Sequence, residues 1–477
     1  MTGKVYISQS DRFRKNHGQV FRSSGMFYYR NARNFRSTIT LWNHFRHKNN
    51  IDAALLASVR DMSGKLIQRE QIGFDQGEVI AYRPIIDSDF EGSVEIEAFA
   101  AADLKIPFTA IAALYEAEKS ACALHAYGRV YSTHEIEEGR YVPVGREAGW
   151  TLRDAPGVRS FCVFHNGAGE QPPQHATLRV RNAKGECRTV AMDLPALPPF
   201  ATVRIFADQY MPDIVKFLDG REGMASVDFH VNGAFTRMLV GNETADEFQV
   251  THSNFNYSEH VTENLPASLT EAFMIIPGLH GRRRQVVVYP EFSPGQYTMS
   301  ADGQRTQFAP GESVIQTVND EIITFARQDG VLPARIVTGL IVDADGVRLP
   351  AEISLNVFHG NKPDKRLSWG ICAAPDRLRT ALVVTDLAPL KGGFPADGTM
   401  ELRAYSTIRH DYLSTTLQAA DMTRLKQGVP FEDLLPGLES HLSGETGFFS
   451  LYSDYGGLFC YTMLHGVHGS VSLEHSF

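Results

Sequence analysis

The chain has 477 residues, 43% of them hydrophobic and 21% charged, the make-up of a folded protein rather than a disordered one. No run of about 18 apolar residues occurs, which excludes an α-helical membrane span, and the opening MTGKVYISQSDRF lacks the apolar stretch of a secretory signal. Five widely spaced cysteines, Cys122, Cys162, Cys187, Cys372 and Cys460, form no C-x-x-C pair. Neither a disulfide framework nor a zinc knuckle is expected, and a cytoplasmic location fits.

Charge is uneven. The first 50 residues hold ten Lys/Arg against the single acid Asp11, in a chain whose net charge is −9. Residues 1–24 therefore read as a basic N-terminal arm. Its cations alternate with rings through Arg12, Phe13, Arg14, Lys15 and Arg22, and on to Phe27, Tyr28, Tyr29 and Arg30. Such a stretch can grip phosphates or acidic sugars. Docking onto this chain's own acidic body, or onto a second copy of it, is the more economical reading, and nucleic acid is not expected as a partner.

Downstream the chain repeats itself. The hairpin-like stretch Val59–Lys65 is answered by Val180–Glu186, and Phe74–Glu78 is answered by Phe308–Glu312 and Phe394–Gly398. Three stretches align without a gap: Phe108–His125, Phe235–His252 and Phe448–His465. Val342–His359 matches them in length. Alternation such as Phe248, Val250, His252 against Gln249 and Thr251 is a strand pattern, and Lys184-Gly185, Asp345-Gly346 and Gly456-Gly457 mark turns. Ala110 to Ala123 is helical by composition, but its gapless partners argue for strands. Short helices are expected over Pro212–Leu218 and between Tyr412 and Ser440. The fold expected is mostly β, about four tandem immunoglobulin-like antiparallel β-sandwich repeats with few short helices. Their boundaries fall at residues 25–140, 141–268, 269–370 and 371–477, the last repeat carrying the helical insertion.

Each proposed unit ends its hairpin on a histidine: His125, His252, His359 and His465. A second follows eight to ten residues later in three of them, as His134, His260 and His475. Paired imidazoles with Glu135, Glu259 or Glu474 nearby would suit a divalent transition metal such as zinc or ferrous iron. The candidate metal ligands are thus His125, His134, His252, His260, His465 and His475. The plainer reading makes the first histidine a strand-end structural residue, because a feature present in every unit usually belongs to the fold. Units of roughly 100 residues have radii near 13 Å, so histidines of different units meet only if the units pack around a common axis.

No P-loop, G-x-S-x-G elbow or dinucleotide-binding glycine pattern occurs. The leading functional expectation is a non-catalytic binding or scaffold protein that takes a glycan or sugar-phosphate and needs no cofactor. Its ligand residues would be His252, Asn254, Asn256, Tyr257 and His260, with Tyr127 and Tyr131 as stacking rings. A metal-assisted enzyme built on the histidine pairs is the second expectation. A self-assembling structural protein, its homo-oligomer joined through the basic arm, is the third.

Overall fold

The computed structural model describes residues 19–477, except 75–77, 87–88, 106–107, 133–134, 136–145, 254–269, 280, 290–294, 310, 331, 333–335, 345, 356, 359–364, 374–377, 389–391, 410, 467 and 477. Strands take 54% of the described residues and helices 8%, so the protein is mostly β. Among the described residues no helix is long and apolar enough to cross a membrane.

The first segment forms β1 (Arg22–Asn31), β2 (Phe35–Trp42), β3 (Ala54–Asp61), β4 (Leu66–Ile72), β5 (Val79–Tyr82), β6 (Phe90–Phe99), β7 (Ala110–Ala117) and β8 (Ala121–Leu124), followed by the short β9 (Arg129–Val130). Its two antiparallel sheets have the orders β1-β6-β3-β4 and β5-β2-β7-β8. Phe27, Ala57, Val59, Val94 and Ile96 of the first sheet share one apolar core with Ile39, Leu41, Ile111, Tyr115 and Leu124 of the second, which makes the pair a sandwich.

The same strand order recurs three times. The second segment comprises β10 (Arg146–Leu152), β11 (Arg159–His165), β12 (Gln174–Arg181), β13 (Cys187–Leu194), β14 (Thr202–Phe206), β15 (Gly223–Asp228), β16 (Ala234–Phe235), β17 (Leu239–Glu243) and β18 (Phe248–His252). The third runs through β19 (Glu271–Ile275), β20 (Arg284–Val288), β21 (Tyr297–Ala301), β22 (Gln304–Phe308), β23 (Val314–Thr317), β24 (Ile322–Arg327), β25 (Thr338–Val342) and β26 (Ala351–Leu355). The fourth has β27 (Leu367–Cys372), β28 (Leu378–Asp386), β29 (Thr399–Tyr405), β30 (Tyr412–Gln418), β31 (Val429–Pro430), β32 (Gly447–Tyr452), β33 (Leu458–Gly466) and β34 (Val471–His475). Their sheets read β10-β15-β12-β13 with β14-β11-β17-β18, β19-β24-β21-β22 with β23-β20-β25-β26, and β27-β32-β29-β30 with β31-β28-β33-β34. The two-residue strands β9 and β16 pair with each other and tie the first segment to the second.

Local chemistry explains the matching turns. Between β3 and β4, Asp61 Oδ1 accepts from the amides of Ser63 and Lys65, and Gly64 takes φ 85°. Between β12 and β13, Asn182 Oδ1 accepts from Lys184 and Glu186, and Gly185 takes φ 83°. A short acceptor side chain and a left-handed glycine are what such a turn requires.

The alanine-rich stretch is strand, as its partners imply. Ala121 and Ala123 face a cluster with Phe448 and Leu464 of the fourth segment, so small side chains are needed where β8 meets its neighbours closely. Helices occupy Ile214–Leu218, Met422–Leu425 and Phe431–Leu434 inside the two expected regions; Leu438–Leu442 runs past the second, and His44–Asn49 and Ala207–Tyr210 lie outside both. Strand β27 straddles the expected 370/371 boundary, and β1 begins at Arg22, inside the stretch read as an arm. Two of the alignments slip by whole strands. Phe448–His465 covers the sixth and seventh strands of its segment's two sheets, β32 and β33, whereas Phe108–His125 and Phe235–His252 cover the seventh and eighth of theirs, an offset of one strand. Phe394–Gly398 precedes β29, whereas Phe308–Glu312 precedes β23, a different position in the order. Aromatic residues and turn glycines open many hairpins, so short matches can fall out of register.

The four segments close on one another. The last strand of each lies at a sheet edge, and these edges meet in sequence: β8 against β18, β18 against β26, β26 against β34, and β34 against β8. Apolar clusters fill all four junctions, through Phe161 and Phe248 on the first, Val287 and Ile341 on the second, Tyr461 and Leu473 on the third, and Trp42 and Phe448 on the fourth. Ser120 Oγ both donates to the Phe248 carbonyl (3.0 Å) and accepts from its amide (2.7 Å), so unpaired edge groups are satisfied across a junction. Four described cations of the first 50 residues pair within the chain: Arg22 with Glu95 and Glu97, Arg30 with Glu243, Arg36 with Glu116 and Arg46 with Asp52.

Candidate metal centre

The four edge strands bring together side chains that are far apart in sequence. In the β17–β18 hairpin the pair next to the turn is Glu243 with Phe248, and His252 lies four residues on, opposite Leu239. In the β33–β34 hairpin His465 pairs with Val471, and four residues on stands His475, opposite Tyr461. In the β7–β8 hairpin Glu116 pairs with Ala121, and His125 is again four residues on. Period 2 places all three imidazoles on the sheet face that looks toward the preceding segment. In β26 that face carries Glu352 and Ser354, opposite Ile341 and Gly339, so the third segment's edge strand supplies no histidine.

His125, His252 and His475 meet at the axis. One ligand nitrogen from each lies within 4.8 Å of the others. The Nε2 atoms of His252 and His475 are 3.4 Å apart. Two nitrogens held tetrahedrally by bonds of ~2.0–2.1 Å to one zinc-class ion are separated by ~3.3–3.4 Å, so this pair already has the spacing a metal imposes. The rings stand edge to face, with centroids 5.4 Å apart for His125 and His252, 4.5 Å for His125 and His475, and 5.7 Å for His252 and His475.

Two of the rings are oriented from behind. His252 Nδ1 donates to the Ser253 carbonyl at 3.0 Å, which fixes the proton there and leaves the Nε2 lone pair toward the axis. His125 Nδ1 shares a hydrogen bond with Glu474 Oε1, a carboxylate–imidazole pairing typical of metal-ligating histidines. Burial pushes the Glu474 carboxyl well above its ordinary range. Burial, then the nearby Arg237 and Lys365 cations, hold His125 well below its own. Arg237 Nη1 donates to the Ser253 carbonyl at 3.4 Å and Lys365 Nζ to the Ser476 carbonyl at 2.5 Å. Burial lowers Lys365 to about 8. Phe459 lies under this end of the axis, nearly parallel to His475 with centroids 6.3 Å apart.

Of the histidines singled out from the sequence, the structure gathers His125, His252 and His475. His465 is half-buried beside the β33–β34 turn and outside the trio. His134, His260 and His359 lie outside the described residues, as do Asn254, Asn256 and Tyr257. Tyr127 packs its ring on Phe27 (5.1 Å), and its hydroxyl accepts from the Thr109 amide and donates to the Thr109 carbonyl. Tyr131 lies under the Arg129 guanidinium at 4.8 Å. The grouping across three segments, and the parts of Arg237 and Lys365, have no local signal in the sequence; only closure of the ring creates them. Comparison of the sequence with protein-family models and with curated proteins finds no match.

Proposed function

We propose that this chain is a metalloprotein that holds one divalent transition-metal ion on its central axis and works as a metal-assisted enzyme. One observation carries the reading: nitrogen donors from three segments, two of them 223 residues apart, converge at metal-binding separation. Three neutral imidazoles with no sulfur or carboxylate in the set suit zinc, iron, copper or nickel better than magnesium or calcium. Three protein ligands leave a coordination position for water or substrate, the pattern of catalytic rather than structural zinc. An ion there would activate a water molecule or polarise a carbonyl or phosphoryl oxygen. Glu474 and the Ser253 carbonyl would keep the ligand rings in place. A purely scaffolding or glycan-binding role accounts for the sandwiches and the ring, but gives no reason for the three nitrogens to meet.

The test is elemental analysis of gently purified protein, followed by assay of metal-free and zinc-reloaded samples on p-nitrophenyl acetate. One ion per chain and a zinc-dependent hydrolysis lost in His252→Ala support the reading. Stoichiometric metal without zinc-dependent hydrolysis would reduce it to a structural metal site, and no bound metal would remove it.

A further inference from the structure

We propose that Glu352 makes the junction between the second and third segments a proton-sensitive seam, closed while its carboxyl is protonated and parted when it ionises. The proposal is independent of the metal reading. It rests on how this junction differs from the other three.

Its apolar cluster is small: Met224, Val287, Tyr289, Val337 and Ile341, with Ile315 partly covered beside them. The remaining ties are polar. Thr151 Oγ1 of β10 donates to Glu352 Oε1 of β26 at 2.5 Å, and the Ser354 amide donates to Thr251 Oγ1 of β18 at 3.1 Å. Glu247 accepts from the amides of Arg348 and Leu349 at 2.9–3.0 Å. Two cavities of about 10 Å³ flank the Glu352 side chain, each room for one water. Glu352 and Thr251 line both, Arg153 and Gln249 the first, Ser354 the second.

The charges facing Glu352 do not settle it as an anion. Arg153 is the main counter-charge: its Nη1 pairs with Glu222 at 2.9 Å, its buried Nη2 makes no hydrogen bond to Glu352, and Glu222 itself opposes a second negative charge. Arg283, farther off, acts on Glu222. Burial dominates and pushes the Glu352 carboxyl up to about 7. An ionised carboxylate here must be hydrated, and the flanking cavities have room for only one water each, so further solvent enters only if β26 moves from β10 and β18. Strand β18 carries His252 at its end, which places the seam beside the axial site.

Hydrogen exchange of the full chain between pH 5.5 and 8.5, corrected for intrinsic base catalysis, tests this. Peptides covering β10 and β26 are compared with β8 as internal reference. Opening should rise ~10-fold for the unit of pH above the Glu352 midpoint, in β10 and β26 and not in β8. Glu352→Gln should keep both strands protected throughout. Thr151→Val, which removes the bond that lowers the Glu352 pKa, should move the midpoint upward with the fold retained. A flat wild-type profile, an unchanged pH dependence in Glu352→Gln, or a Thr151→Val midpoint that stays or falls would each overturn the proposal.

Discussion

His252 and His475 stand 223 residues apart in sequence, yet their Nε2 atoms are 3.4 Å from each other at the ends of two edge strands. Lone pairs on neutral imidazoles gain nothing from facing one another, so this closeness needs a proton or a metal ion between them. With His125 completing the group, a bound metal ion would explain all three positions at once.

Removing any one ligand should therefore cost most of the binding. His125→Ala, His252→Ala and His475→Ala are each expected to weaken zinc affinity by more than the ~10–100-fold that loss of an outer-shell partner costs. His465→Ala, outside the trio, should leave it unchanged. Competition against a chromogenic chelator measures all four.

Glu474 acts through His125. Glu474→Ala should weaken zinc binding ~10–100-fold while the chain stays folded, because the His125 ring loses the partner that fixes its orientation. Glu474→Gln, which keeps an acceptor oxygen, should fall between. Equal affinity in all three proteins would show that the contact does not orient the ligand.

The strand pattern, the few helices and the recurring turns were legible in the sequence because they are local. Period 2 in Phe248–His252 and the Asp61 and Asn182 turns depend only on nearby residues. The repetition was legible too, but its register was not: His465 matches His125 by spacing, while the structure places His475 at the equivalent strand end. Turn lengths vary between hairpins, and a gapless comparison cannot absorb that. The axial grouping depends on four junctions between segments, and no residue encodes it alone. Glu474 could be noticed as a carboxylate beside His475, but its bond runs to His125, on the first segment.

Stability should fall as pH rises through neutrality, and Glu352 sets the window. Burial raises its folded-state pKa to about 7 from the ordinary 4.5, so the folded chain holds the proton more tightly than the unfolded one. The contribution is complete below about pH 4.5 and lost as pH climbs through about 7, by at most about 3 kcal/mol. Urea melts at pH 5 and 8 should show that difference in wild type and its loss in Glu352→Gln, the variant being the more stable at pH 8.

Within the first segment, Glu95 accepts from Arg60 Nη1 (2.8 Å), Ser24 Oγ (2.9 Å) and Arg22 Nη2 (3.2 Å), and the Arg60 side chain is 4% exposed. Glu95→Ala strands a buried guanidinium and should cost about 3–5 kcal/mol in a denaturant titration. Arg36→Ala breaks a pair whose arginine is 50% exposed and should cost no more than about 1 kcal/mol.

Phe248 links two segments through its ring, stacked on Phe161 at 5.1 Å and edge-on to Phe35 at 4.9 Å. Phe248→Ala should cost about 3–5 kcal/mol and loosen the ring at the junction of β8 and β18. Thermal melts read the loss. Zinc, bound across three segments, should restore part of the lost melting temperature in that variant.

The most direct test is a cobalt titration of the metal-free protein, followed by visible absorption. The account predicts one equivalent of Co²⁺ with the intense d–d bands of a low-coordinate nitrogen site, absent in His252→Ala and in His475→Ala while both remain folded. Cobalt that fails to bind, or bands that persist unchanged in both variants, would contradict it.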